Sequence, residues 1–152
     1  MGDLREKLDR VNIKDLFAIP QFICAIPFAT LLKRKRKDMW LICEDCNEAR
    51  DNGYWLYRYI RQNHKEQDVV YAINKKSVDY KKVVGLGEVI QYGSFKHWIY
   101  YLAASKNISS QKGGKPNAAV CYLLEVYGIL KNKRVFLQHG VICSDMPWCY
   151  YK

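Results

Sequence analysis

The side chain in this sequence best suited to moving a proton near neutrality is His139. It follows the apolar run Val135-Phe136-Leu137 and precedes Gly140, so its ring is expected at the carboxyl end of a β-strand with backbone close beside it. An imidazole of ordinary pKa, about 6.5, can take the proton of an attacking hydroxyl with little adjustment. The same position also suits a hydrogen-bonded structural histidine or a solvent-facing one, and spacing alone leaves those roles open. His97, flanked by Lys96 and Trp98 inside a helical stretch, reads as a packing residue, and His64, ending a polar helix, as a solvated one.

Three further segments carry polar groups. Arg50-Asp51-Asn52-Gly53 directly precedes a helix that Asp51 or Asn52 would cap, and Arg50, Asp51 and Asn52 would border a ligand crevice there. The stretch Ser110-Gln111-Lys112-Gly113-Gly114-Lys115-Pro116 offers lysines, glycines and backbone N–H groups to a phosphate, with Ser110, Gln111 and Gly140 as binding candidates. It lacks P-loop spacing, and a flexible surface loop accounts for it equally well. Cys43 and Cys46 have the spacing of half a zinc site, but no second half matches, since Cys143 and Cys149 stand six apart. No metal site is assigned, and the thiols read as buried or incidental.

To position these residues the chain alternates short β-prone runs with longer helical ones. The strands are expected at Met39–Cys43, Asp68–Ile73, Glu88–Tyr92, Lys106–Ser109 and Arg134–Gln138. Helices are expected at Asn52–Gln62, with Trp55, Leu56, Tyr59 and Ile60 on one face, at Ser94–Ala104 and at Asn117–Leu130. This rhythm implies an α/β domain over 38–152: a Rossmann-like, three-layer parallel sheet with helices on both sides. Ligands of such sheets gather beyond the carboxyl ends of the strands, where every segment named above falls.

Residues 1–37 read as a separate segment. Leu4, Leu8 and Val11 mark a short amphipathic helix, followed by seventeen uncharged residues from Leu16 to Leu32 and the block Lys33-Arg34-Lys35-Arg36-Lys37. Seventeen residues of helix reach about 25 Å, short of the roughly 30 Å hydrocarbon core, and Pro20 and Pro27 are expected to interrupt it. The segment is therefore expected to lie in or re-enter an anionic membrane surface, with Lys33 to Lys37 on the head groups. The alternative is a helix packed on the domain with the basic run as its solvated end.

Composition narrows the classes. A chain of 152 residues, 49% hydrophobic and 14% aromatic, excludes disorder and leaves room for one domain with an appendage. Half of the net charge of +10 sits in residues 1–37, beside an apolar run instead of a stacking surface, which argues against nucleic acid as partner. The mixed charges of Met1 to Asp15 do not make a signal peptide, so a reducing compartment is favoured for the six cysteines.

Taken together and in order, the runs Ala49-Arg50-Asp51-Asn52-Gly53-Tyr54, Tyr92-Gly93-Ser94-Phe95-Lys96-His97 and Val135-Phe136-Leu137-Gln138-His139-Gly140 resemble the amino-terminal half of the CDP-glycerol glycerophosphotransferases of teichoic acid and capsular polymer synthesis. The resemblance implies the amino-terminal, acceptor-side domain of a GT-B glycosyltransferase-like fold, with His139 as the base that deprotonates an acceptor hydroxyl. It implies a lipid-linked polyol-phosphate acceptor and a peripheral position on the cytoplasmic face of the cell membrane. CDP-glycerol or a similar donor would bind a carboxyl-terminal domain absent before Lys152, so no cofactor is expected here, a donor domain or partner chain is needed, and the chain alone is expected to be inactive. A second reading is a non-catalytic membrane-surface module that binds polymer or a protein partner.

Overall fold

The computed structural model describes residues 15, 17–111 and 114–138. The expected helix of residues 1–15, His139, Gly140, Cys143 and Cys149 lie outside the described residues.

Five strands form one sheet: β1 (Trp40–Ile42), β2 (Val69–Ile73), β3 (Val89–Gln91), β4 (Lys106–Ser109) and β5 (Arg134–Phe136). Their order is β3-β2-β1-β4-β5 and every neighbouring pair is parallel, which is a Rossmann-like sheet. All five fall where apolar runs placed them. β2 is buried along its whole length, as its unbroken apolar run Val69-Val70-Tyr71-Ala72-Ile73 requires of a strand covered on both faces.

Alternation along the strands separates two cores. Met39, Leu41, Cys43, Val70, Ala72 and Ile90 pack beneath α1 (Ala18–Lys35), α4 (Phe95–Ala103) and α5 (Ala118–Val126). Ile42, Val69, Tyr71, Ile73 and Ile108 face α2 (Asn52–Asn63) and the short α3 (Tyr80–Val84). The inward stripe of α2 differs from the expected one: Tyr54, Tyr57 and Ile60 are buried, while Trp55 and Tyr59 are each 55% exposed. Both stripes are apolar at helical spacing, so periodicity could not choose between them.

The apolar segment is one continuous helix packed on the domain. Pro27 lies inside it without ending it, and Pro20 falls in the first turn, where its missing N–H has no intrahelical partner to lose. Ala18, Phe22, Ala25 and Ala29 are its buried stripe, and the Phe22 ring meets Trp98 of α4 edge-on at 5.8 Å. Small residues let the two helices approach closely. The opposite face is also apolar: Phe17 is 73% exposed, and Ile23, Phe28 and Leu31 are more than half exposed. Among the described residues no helix is long and apolar enough to cross a membrane.

The basic block does not act as one unit. Arg36 turns inward, donating from Nε to Asp68 at 2.6 Å and from Nη1 to Glu88 at 2.9 Å, over the ring of Tyr100. The hydrogen bond to Asp68, together with the charge of Glu88, raises its pKa against the opposing effect of burial. Lys33, Arg34, Lys35 and Lys37 remain exposed. Arg36 thus ties the carboxyl end of α1 to the edge formed by β2 and β3.

Candidate functional site

The strand order reverses between β1 and β4, the place where sheets of this kind open a ligand crevice. Here one wall of that crevice, the amino-terminus of α2, is occupied from within. Glu44, fully buried just after β1, accepts hydrogen bonds from the backbone N–H groups of Arg50 at 2.9 Å, Asp51 at 3.2 Å and Tyr54 at 2.5 Å. Its carboxylate sits at the amino-terminus of α2, where an anionic ligand would otherwise find free N–H groups and the favourable end of the helix dipole. Gly53 allows this, because a Cβ there would stand 3.0 Å from Cγ and Oε1 of Glu44. Of the two expected caps Asp51 is the N-cap of α2, without a side-chain cap bond of its own, and Glu44 supplies the side-chain acceptor.

Gly114 stands on the other side of the same crevice, beside Cys43 and Ser109. Its φ of +86° is open to glycine, and a Cβ would lie 3.5 Å from the Cys43 carbonyl oxygen and 3.6 Å from Cβ of Ser109. His97 braces this arrangement. The imidazole is fully buried, Nδ1 accepts from the Gly93 N–H at 3.1 Å, and that bond places the proton on Nε2. Burial holds the ring neutral by pushing its pKa down to about 3, weakly opposed by the Gly114 backbone, although Nε2 makes no well-formed hydrogen bond among the described residues. His97 is therefore a packing residue that also fixes a turn at the ligand edge. His64 is exposed beside Glu66.

The remaining candidates divide by location. The Asn52 side-chain amide donates to the backbone carbonyl of Gln138, tying the start of α2 to the residue before His139. Ser110 is buried with its Oγ unpartnered among the described residues, and Gln111 donates its N–H to Ser109 Oγ at 3.2 Å. Arg50 instead turns to Asp79, with Nε 2.7 Å from Oδ2, and Lys82 stands 3.3 Å from the same carboxylate. Burial would raise the pKa of Asp79, but Arg50, the Ala49 N–H and Lys82 together hold it below its usual value. Asn52 thus reaches the chain beyond β5 and Ser110 and Gln111 follow β4, whereas Arg50 serves the loop beyond β2.

Glu44 and Asp79 were not foreseen. A helix cap is sought next to the helix in sequence, and Glu44 precedes α2 by eight residues, so only the folded loop discloses it. The asparagine N-cap of α5, Asn117, which accepts from the Val120 N–H at 2.9 Å, stands where a helix start was expected. Cys43 and Cys121 are buried thiols whose pKa values burial pushes up, Cys121 to about 12, which disfavours the nucleophilic thiolate. No group of potential metal ligands occurs among the described residues.

Fold and site together define a parallel α/β domain in which Glu44 takes the amino-terminus of α2 and Ser110, Gln111 and the Asn52–Gln138 bond lie beyond β4 and β5. The chain belongs to the CDP-glycerol:poly(glycerophosphate) glycerophosphotransferase family, whose model matches residues 25–146. It is 31% identical over 117 residues to the minor teichoic acid biosynthesis protein GgaB of Bacillus subtilis (strain 168). That match covers 72% of this chain but 12% of GgaB. No solved structure matches the chain significantly.

Proposed function

We propose that this chain is the acceptor-side portion of a transferase that moves a polyol phosphate from a CDP-activated donor to a hydroxyl of a membrane-linked acceptor in teichoic acid synthesis. The observation that carries the reading is the bond from Asn52 to Gln138. It holds Gln138, the residue that precedes His139-Gly140 in the sequence, against the start of α2 within the family match. In this reading His139 takes the proton of the acceptor hydroxyl. The freed oxygen attacks the donor's β-phosphorus, a new P–O bond forms, the phosphoanhydride breaks and CMP leaves. The transfer depends on positioning and on neutralising charge at the phosphate oxygens. Glu44 already takes the backbone N–H groups at the amino-terminus of α2 that a nucleotide phosphate would use, which supports placing the donor on a second domain in a GT-B arrangement.

The outer face of α1 supports the membrane part of the reading. Exposed Phe17, Ile23, Phe28 and Leu31 run toward exposed Lys33, Arg34, Lys35 and Lys37, a pattern suited to lying on the anionic cytoplasmic leaflet.

The test is a chimera in which residues 25–146 replace the matched stretch of a poly(glycerophosphate) glycerophosphotransferase, assayed for transfer of labelled glycerol phosphate from CDP-glycerol. His139→Ala is expected to lower turnover by about 10²–10⁴-fold without unfolding the chimera. Unchanged turnover removes the base assignment.

A further inference from the structure

Between α1 and the turn that leads from α5 to β5 runs an open groove of about 310 Å³ that the reading above leaves without a role. Along its α1 wall stand Phe22, Ile26, Ala29, Thr30 and Lys33, one stripe of the helix at i, i+4, i+7, i+8 and i+11. Over that stretch, roughly 16 Å of helix, the stripe passes from large apolar side chains to a small one, a hydroxyl and a cation. The facing wall carries the same mixture, with Ile129 and Leu130 followed by Lys131. Lys33 lies seven residues ahead of β1 and Lys131 three ahead of β5, so in a parallel sheet both stand at the amino edge. Both lysines are exposed, and among the described residues no carboxylate lines the groove.

The turn itself is built to hold an apolar side chain outward. The Ile129 N–H donates to the Leu124 carbonyl at 2.9 Å and the Gly128 N–H to the Glu125 carbonyl at 3.0 Å. With Gly128 at a φ of +69°, these two bonds make a Schellman ending to α5. Leu130 is buried beside it, and the Asn132 amide donates to the Tyr101 carbonyl at 2.8 Å, which pins the turn to the end of α4. In such a motif the residue after the glycine commonly packs back on its helix. Here Ile129 is 63% exposed and Tyr127 is 71% exposed, and Ile129 shares the groove with the exposed Ile26 of α1. Apolar area on a pinned turn, continuous with an apolar helix face and ending at unopposed cations, fits an amphiphile with an anionic head.

We propose that this groove seats an anionic phospholipid. Its phosphate lies at Lys33 and Lys131, its acyl chain runs over Ile26 and Phe22, and Tyr127 and Ile129 enter the same leaflet. An interfacial helix by itself leaves the domain free to roll about the helix axis; a second contact through the turn sets that roll. The bilayer setting rests on the membrane reading of α1, whereas the site for a single lipid does not.

The experiment is a titration of the 152-residue chain with dihexanoyl phosphatidylglycerol below its micelle concentration, followed by amide NMR shifts, beside sedimentation with vesicles of phosphatidylglycerol and phosphatidylcholine. Saturable shifts are expected at Thr30, Gly128, Ile129 and Lys131. Ile129→Ser changes an exposed side chain, so it should keep the melting temperature while weakening both lipid and vesicle binding about five- to tenfold. Lys131→Gln should weaken both about fivefold, and should have no effect on vesicles of phosphatidylcholine alone. Absence of shifts at these residues, or equal lipid affinity in wild type and Ile129→Ser, overturns the proposal. Inorganic phosphate producing the same saturable shifts overturns the lipid assignment, and self-association that Ile129→Ser abolishes, without lipid shifts, gives the groove to a second copy of the chain. Vesicle sedimentation that Ile129→Ser leaves unchanged sinks the groove and spares α1. Binding of the soluble lipid without sedimentation on anionic vesicles sinks the membrane reading and leaves the groove standing.

Discussion

Replacing His97 by Gln is expected to flatten the acid side of the stability curve. The ring is fully buried, with Tyr92 and Tyr101 packed around it at centroid distances of 5.1 and 6.4 Å, and its pKa falls from 6.5 to about 3. The unfolded chain therefore binds more protons than the folded one between those values. Stability contributed by neutral His97 is complete above pH 6.5 and declines as pH falls through the window. From pH 7.5 to pH 5 the loss from this residue amounts to about 2 kcal/mol, reaching an upper bound of about 5 kcal/mol near pH 3. Gln keeps an acceptor for the Gly93 N–H and does not titrate, so His97→Gln starts less stable but loses about 2 kcal/mol less over that interval. Urea unfolding at half-unit pH steps measures both slopes. Parallel curves for the two proteins down to pH 5 would refute the reasoning, because they would mean that His97 is reached by water or is already charged in the fold.

Two further outcomes follow from the same structure. Glu44→Gln keeps the shape but removes the charge that accepts three backbone N–H groups, and is expected to cost about 2–4 kcal/mol in urea unfolding; a change below about 0.5 kcal/mol would show that water serves the amino-terminus of α2 equally well. Within the basic block, Arg36→Ala should cost about 1 kcal/mol after solvent screening and speed amide exchange in α1, since it unfastens Asp68 and Glu88. Neutralising Lys33, Arg34, Lys35 and Lys37 should leave unfolding unchanged but abolish sedimentation with vesicles containing anionic lipid, at about 1 kcal/mol per charge. Equal effects of the two sets on vesicle binding would contradict the division.

Much of the architecture was legible because strands and helices carry opposite periodicities. The run Val69 to Ile73 is apolar at every position, which only a strand buried on both faces demands, and all five strands lie within one or two residues of their expected ends. Asn117 and Ser94 announce their helices because a cap acts across three residues, a range that sequence displays directly. Where two choices were equally apolar, local pattern had no vote. Trp55 and Tyr59 compete with Tyr54 and Tyr57 for the inner face of α2, and the outcome depends on how the helix meets β1 and β2.

Composition and short-range pattern thus determined which segments become strands, which become helices and which loops end up at the carboxyl edge of the sheet. Only the tertiary structure decided which side chains complete that edge. Glu44 capping α2, Arg36 leaving the basic block for Asp68 and Glu88, and Asn52 reaching Gln138 are pairings across six to eighty-six positions. Such contacts depend on where the chain returns in space, whereas the hydrophobic effect and backbone hydrogen bonding that set the elements act on each segment according to its own pattern.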